Sequence, residues 1–161
     1  NPDNTQSHTL ASNVWTPVQY PRQEGATSLP AIFATPNSVG FSFNGSFATG
    51  GTFPNQFSAG KYIYTGARTR IFHTGCTMSY SLASAGSISF ALFKNDTLVP
   101  ASYVIMTVDG NGEFQSTAIH AFLELTTNDA VELQYRAIGN NEDITMLSTN
   151  LFALGLPNVL P

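Results

Sequence analysis

The chain has 161 residues with a formal net charge of −4, and only 10% of its positions are charged. Six Lys and Arg residues cannot form the basic stripe that neutralises many phosphates, so we expect no nucleic-acid partner. No apolar run approaches the roughly 20 residues needed to cross a bilayer, so we expect no membrane insertion. With 42% apolar residues, the chain can bury one core without a disulfide or a metal.

The first residues carry little structural signal. Residues 1–12 (NPDNTQSHTLAS) are polar and show no periodicity, so we interpret them as an N-terminal tail or linker. The rest of the chain, 13–161, is predicted to form one domain. Within it, 21–37 contains three prolines and is predicted to be a long loop with at most a short strand at 31–33.

Short strands ended by turn residues account for the remainder of the chain. The predicted strands cover residues 13–20, 39–43, 46–53, 61–65, 70–82, 87–94, 98–106, 114–125, 131–138 and 144–156. Turn signals such as Asn95-Asp96 and Asn128-Asp129 separate them. No segment shows a helical period, and no capping box opens a long apolar stripe. The sequence therefore predicts an all-β fold, an antiparallel sandwich or jelly roll of about ten strands.

The final predicted strand, 144–156 (ITMLSTNLFALGL), is apolar on both alternating faces from residue 151 onward. A half-exposed strand should instead alternate apolar with polar side chains, because successive side chains point to opposite faces. Burial on both faces suggests that one face packs on the domain's own core and the other on a neighbouring copy. We therefore expect an oligomer.

The sequence offers no catalytic constellation. Cys76 lies among apolar positions of its strand, where a thiol behaves as a small buried hydrophobe. No serine has the G-x-S-x-G context of a nucleophile elbow. Glu124 and Glu132 are candidates to face one another across the 128–129 turn, but a solvated pair explains them as well as a glycosidase pair does. We expect a protein that is not an enzyme.

Metal ligands are also sparse. The only histidines are His8, His73 and His120, and Cys76 lies three residues from His73, on the opposite face of the same strand. A metal site needs three or four convergent ligands, so we expect no metal and no cofactor. The acidic turn that begins at Asp109 fails the EF-hand pattern, although a weak calcium site there or at Glu142-Asp143 stays open as an alternative.

Aromatic residues near predicted loops are the better candidates for recognition. They are Tyr62, Tyr64, Tyr103, Phe53 and Phe57. Their rings can supply stacking surfaces for a protein or glycan partner, and the alternative is that they complete the core.

Four motifs in chain order resemble the C1q/TNF-like domain family. They are Gly60–Tyr64 (GKYIY), Ser87–Asn95 (SISFALFKN), Asn128–Tyr135 (NDAVELQY) and Asn150–Leu156 (NLFALGL). Trp15 in the first strand and Phe43-Asn44 fit the same pattern, so the resemblance covers about 13–156. The chain departs from it in the long 21–37 loop and in Ala153, where the family often places a glycine.

The resemblance implies a ten-strand jelly roll that assembles as a compact homotrimer. In that family the first, last and central strands form an inner sheet, and apolar side chains on its outer face meet at the threefold axis. We therefore expect a trimer interface that includes Trp15, Tyr135, Leu147, Leu151 and Ala153. On this interpretation, Leu151→Asp separates the copies before it unfolds the domain.

Three functions compete for this sequence. The first is a trimeric recognition head that binds a receptor, glycan or other protein on an extracellular or virion surface. The second is a structural coat or decoration protein of a virus or phage particle, since one fold serves both roles. The third, a hydrolase on a β-sandwich, has no catalytic residues in its favour. The Ser-, Thr- and Asn-rich, charge-poor sequence resembles microbial and viral members of the family.

Overall fold

The computed structural model of the protein describes residues 6–18, 41–44, 61–64, 66–109 and 112–156. This part of the chain forms eleven strands and one short 3-10 helix, Pro100–Ser102. The strands are β1 (Gln6–Leu10), β2 (Thr16–Pro17), β3 (Phe41–Asn44), β4 (Lys61–Tyr64), β5 (Arg70–Leu82), β6 (Gly86–Lys94), β7 (Thr97–Leu98), β8 (Val104–Val108), β9 (Phe114–Leu125), β10 (Ala130–Ile138) and β11 (Glu142–Gly155). Among the described residues, no helix has the length and apolar character needed to cross a membrane.

The strands form two antiparallel sheets. The four-stranded sheet has the order β1-β11-β5-β9. The seven-stranded sheet has the order β3-β4-β10-β6-β7, with β2 paired to β10 and β8 paired to β6. Without the short strands β2, β3 and β7, the other eight follow the order 1-8-3-6 in one sheet and 2-7-4-5 in the other. This order is consistent with a jelly roll, and the predicted all-β antiparallel sandwich is confirmed.

The core lies between the two sheets. Alternate residues of β5 point into it as the sequence pattern predicts, namely Phe72, Thr74, Cys76, Met78, Tyr80 and Leu82. From the facing sheet, Phe90 of β6 brings its ring centroid within 5.1 Å of that of Tyr80. Cys76 is a buried free thiol. The interleaved apolar side chains of β5 and β6 therefore join the two sheets.

The turn signals in the sequence also match the structure. Asn95 and Asp96, between β6 and β7, have φ values of 49° and 62°, the left-handed pair that a two-residue hairpin turn requires. Asn128, just before β10, has a φ of 74°. Asn and Asp tolerate this region better than other non-glycine residues, which explains their positions.

The N-terminal segment corrects the sequence prediction. Part of the predicted tail 1–12 forms β1, which pairs residue by residue with the start of β11. Leu10 is 1% exposed and is the one apolar residue of this strand, so β1 leaves no periodic signal in the sequence. The predicted strand 13–20 is reduced to the two residues of β2 within the described chain. The predictions for 21–37 and 46–53 lie outside the described residues.

The predicted strand 98–106 is divided into two strands. Pro100 begins the 3-10 helix, which separates β7 from β8. The hydroxyl of Ser102 accepts a hydrogen bond from the backbone N–H of Leu92 at 2.8 Å and donates one to the carbonyl of Val99 at 2.8 Å. Proline cannot donate to a sheet ladder, so the break between the two strands falls at Pro100.

A β-bulge interrupts β11. Met146 pairs with Tyr80 and Ser148 pairs with Ser79, so Leu147 is an extra residue in the ladder. Each inserted residue reverses which parity points inward. Ile144 and Met146 are buried before the bulge, and Thr149, Leu151 and Ala153 are buried after it. The end of β11 therefore carries apolar side chains on both faces, as its sequence pattern predicts. The residues that point inward change from even-numbered to odd-numbered positions at Leu147.

Asp129 holds two turns together. Its carboxylate accepts hydrogen bonds from the backbone N–H of Thr126 at 2.8 Å and from the side chain of Asn95 at 2.7 Å, and it pairs with Lys94 at 2.9 Å. Burial alone would raise the pKa of Asp129, but the hydrogen bonds from Thr126, Asn95 and Lys94 outweigh it and hold the pKa well below its usual range. The ionised carboxylate thus joins the turn before β10 to the turn after β6.

Two buried tyrosines should respond in opposite ways to loss of the hydroxyl. The Tyr80 hydroxyl is buried and has no hydrogen-bond partner among the described residues, and burial raises the pKa of Tyr80 to about 12. The Tyr64 hydroxyl donates to the carbonyl of Arg68 at 2.6 Å. Tyr80→Phe should leave the free energy of unfolding unchanged or raise it, whereas Tyr64→Phe should lower it by about 1 kcal/mol. Urea unfolding measures both, and an equal loss in the two variants would contradict the assignment.

Asp129→Asn should lower the free energy of unfolding by about 1–3 kcal/mol at pH 7, because the donors of Thr126, Asn95 and Lys94 lose a charged acceptor. The folded-state pKa of Asp129 is lowered, so its stabilising effect is present above about pH 3.9 and lost as the pH falls towards the folded pKa. The difference between wild type and variant should therefore shrink over that acid range in urea unfolding. The exposed Asp109→Asn is the control. A difference that does not change with pH would refute the role of the charge.

Candidate functional site

An apolar surface covers one end of the outer side of the four-stranded sheet. Six side chains from β5, β9 and β11 form this outer-face patch: Ile71, His73, His120, Phe122, Phe152 and Leu154. Phe122 is 64% exposed, Ile71 47% and Leu154 44%. Large apolar side chains grouped in this way are uncommon on a protein surface that stays in water.

Strand pairing brings these residues together. His73 of β5 lies opposite Phe122 of β9 on one side and opposite Leu154 of β11 on the other. The ring centroid of His73 lies 5.1 Å from that of Phe122, 5.6 Å from that of Phe152 and 5.3 Å from that of His120. His73 is therefore the centre of an aromatic cluster that spans three strands.

Gly75 makes room for the ring of Phe152. A Cβ at residue 75 would lie 2.5 Å from Cζ of Phe152 and 3.0 Å from the carbonyl oxygen of Ile119. Because the glycine has no side chain, the Phe152 ring lies flat across β5 beside His73. The half-buried position of Phe152 thus depends on the residue opposite it in the neighbouring strand.

The rest of the outer face carries several hydroxyl side chains, and Phe114, 74% exposed, lies at its far end. Beyond the patch, β5 and β9 border a shallow depression of about 370 Å³, lined by Thr77, Met78, Ser79, Ser116, Thr117 and Ala118. Four of these six residues carry a hydroxyl and none is titratable, so the depression can form hydrogen bonds but offers no acid or base. The outer face therefore has an apolar patch at one end, bordered on one side by a polar depression.

A second aromatic cluster lies on the other side of the sandwich, on the seven-stranded sheet. The Arg136 guanidinium carbon lies 4.7 Å from the ring centroid of Trp15. Its Nη2 donates to the Tyr103 hydroxyl and its Nε to the Ser89 hydroxyl, each at 3.1 Å. Trp15 also packs edge-on against Phe93, with ring centroids 5.2 Å apart. The charge of Arg136 is therefore stabilised within the chain by stacking and hydrogen bonds.

The structure corrects most of the predicted interface residues. Leu151, Ala153 and Tyr135 are 2%, 0% and 1% exposed, so their side chains lie in the chain's own core and are not available to another copy. Leu147 is the partly exposed bulge residue. Trp15 precedes β2 and packs against Phe93 and Arg136 of the opposite, seven-stranded sheet. The bulge explains the first two errors, because it turns Phe152 and Leu154 outward in place of Leu151 and Ala153.

The predicted recognition aromatics lie in different environments. Tyr64 is fully buried, so it belongs to the core and not to a partner surface, which corrects the prediction. Tyr103 is half-buried beside Arg136 and keeps part of its ring in water. The side chains of Tyr62, Phe53 and Phe57 lie outside the described residues, and their roles stay predictions.

The carboxylates named in the sequence do not form a pair. Glu124 of β9 belongs to the four-stranded sheet and Glu132 of β10 to the seven-stranded sheet, so they do not face each other across a hairpin. His73 points outward while Cys76 is in the core, which places them on opposite faces as predicted. In the described ranges, no three or more His, Cys, Asp or Glu side chains converge as a metal site.

The comparisons with known proteins find similar solved structures but no related sequence family. No protein-family model matches the chain, and no curated protein matches it. One solved structure with a related arrangement is that of the Eiger TNF from S. frugiperda. It is 9% identical to this chain in sequence and gives a TM-score of 0.37. The matched region covers 62% of this chain and 69% of the Eiger chain. The description of the fold therefore rests on the strand pairing of this chain.

Gly75→Ala tests whether the flat position of Phe152 is required. The added methyl group would collide with the Phe152 ring, so we expect a loss of about 1–3 kcal/mol in the free energy of unfolding. In a Phe152→Ala background the same change should cost much less, because most of the collision is removed. Urea unfolding of the four proteins gives this coupling energy. Equal costs in both backgrounds would contradict the contact.

Proposed function

We propose that this chain is a non-enzymatic recognition module of the C1q/TNF-like jelly-roll type. It assembles as a homotrimer through the outer-face patch and binds a protein or glycan partner on an extracellular or virion surface. The observation that carries the proposal is the apolar surface that a single chain leaves in water.

The size of the exposed surface supports assembly. A whole aromatic side chain offers about 200 Å² and an aliphatic one slightly less, so Phe122, Ile71 and Leu154 together expose about 300 Å² of apolar surface. Patches of roughly 300–600 Å² on single chains often mark interaction sites. A stable interface needs about 800 Å² from each partner, which the patch and its polar border can supply together.

The threefold state is favoured by the family that the motifs resemble. In that family the outer face of the sheet with the first and last strands meets at the axis. The outer-face patch lies on the corresponding sheet here, which contains β1 and β11. A closed ring of identical copies also covers the patch of every copy, whereas an open arrangement leaves one uncovered at each end.

A partner would bind away from this interface. Tyr103 and Trp15 lie on the seven-stranded sheet and keep part of their rings exposed when the outer-face patch is covered. Aromatic rings with a polar group suit both glycan and protein recognition. The low charge of the chain, 10% of residues, fits a neutral surface of the kind found on extracellular and virion proteins.

Substitutions on the two faces of β11 provide the test. Leu154→Asp should place an unpaired charge in the interface at a cost of about 3 kcal/mol or more, and should give a folded monomer. Leu151→Asp places the same charge in the core, where Leu151 is 2% exposed, and should unfold the chain. Light scattering coupled to size exclusion measures the mass, and circular dichroism measures the fold.

Ile105→Asp is the matched surface control. Ile105 is 55% exposed on β8 of the seven-stranded sheet, so this variant should keep the wild-type mass. A well-folded monomeric wild type at micromolar concentration would refute the proposal. Loss of assembly in Ile105→Asp with retention in Leu154→Asp would place the interface on the other sheet.

A further inference from the structure

Two of the three histidines of the chain meet on the outer-face patch. Gly75 of β5 lies opposite His120 of β9, and His73 lies two residues before Gly75, so the histidines are diagonal neighbours on one face. Their ring centroids are 5.3 Å apart and their planes are nearly perpendicular, at 88°.

One nitrogen of this pair has no partner. Nε2 of His73 is buried and forms no hydrogen bond with any described residue. The centroids of the Phe122, His120 and Phe152 rings lie 5.1, 5.3 and 5.6 Å from that of the His73 ring. A buried unsatisfied polar group costs about 1–3 kcal/mol, so its persistence calls for a ligand or another explanation.

The separation of the rings fits a shared ion. Imidazole nitrogen binds Zn²⁺ at about 2.0–2.1 Å, which puts the ring centre about 3.2 Å from the metal. Two rings at a tetrahedral angle then have centres about 5 Å apart, close to the observed 5.3 Å. We propose that His73 and His120 form a binding site for a divalent transition-metal ion of the zinc class.

The chemistry of the surroundings selects this class of metal. Imidazole suits zinc, copper and nickel, whereas calcium and magnesium require several oxygen ligands. The other members of the outer-face patch are apolar and offer none. The described part of the chain provides no third convergent His, Cys, Asp or Glu.

The remaining coordination positions belong to water or to a neighbouring copy. Here the inference rests on the proposed function, because the outer-face patch is the surface through which copies associate. A neighbouring copy that packs there brings its own histidine pair to the same interface. The ion would then link copies, and its binding would favour assembly because it binds the assembled state better.

Calorimetric titration of the full chain with Zn²⁺ alone tests the site. The protein carries no histidine tag, is freed of metal by a chelator, and is kept at about pH 7.5 throughout. His120→Gln should weaken zinc binding by at least about tenfold, because even outer-shell partners of a metal are worth roughly 10- to 100-fold. His120 is exposed, so this variant should keep the wild-type fold.

His8→Gln is the matched control, since it removes the histidine of β1 and should leave zinc affinity unchanged. Mg²⁺ should give no binding to any variant. Absence of zinc binding at millimolar concentration, or equal affinity in wild type and His120→Gln, would overturn the site.

Light scattering with and without zinc separates this result from the proposed assembly. A monomer that binds zinc through His120 keeps the metal site and refutes the trimer. A trimer with zinc affinity independent of His120 does the reverse.

Discussion

The insertion of Leu147 into β11 determines which side chains the last strand places in the core and which it presents to water. Before this residue the even positions point inward, and after Ser148 the odd positions do. Without the bulge, Phe152 would point between the sheets in place of Leu151. With the bulge, Phe152 points outward, where its ring lies over Gly75. Because the side-chain period of a strand is two, a single extra residue exchanges both faces. The outer-face patch therefore exists as a consequence of this one irregularity.

The sequence predicts a strand well where an uninterrupted ladder supports it. β5 alternates apolar and polar residues over its whole length, and its buried side chains are those that the alternation predicts. β1 is missed because hydrogen bonding to β11, and not apolar periodicity, keeps it in the sheet. The two-sided end of β11 is visible in the sequence, but the bulge is not, since Leu147 resembles its apolar neighbours. The meeting of His73 with His120 also depends on strand order, which no local pattern contains.

The two outer faces of the sandwich differ in whether their exposed groups find partners within the same chain. On the seven-stranded sheet, Arg136 stacks on Trp15 and donates to two hydroxyls, so the cluster is complete within one chain. On the four-stranded sheet, Phe122 is 64% exposed and Leu154 is 44% exposed. The free energy available from covering a surface scales with its exposed apolar area. The proposed association therefore uses the four-stranded sheet, where Phe122, Ile71 and Leu154 are grouped, and it would leave the seven-stranded sheet for a partner.

A histidine at the centre of an apolar patch makes association depend on more than apolar area. When copies cover the patch, the imidazoles of His73 and His120 lose water, and a buried polar group without a partner opposes the gain from covering Phe122. A shared ion or a hydrogen bond from another copy removes that cost, whereas an unrelated apolar surface does not. In the proposed assembly, the histidine pair would give the interface a requirement that a random hydrophobic contact fails to meet, and this would favour copies of the chain over other partners.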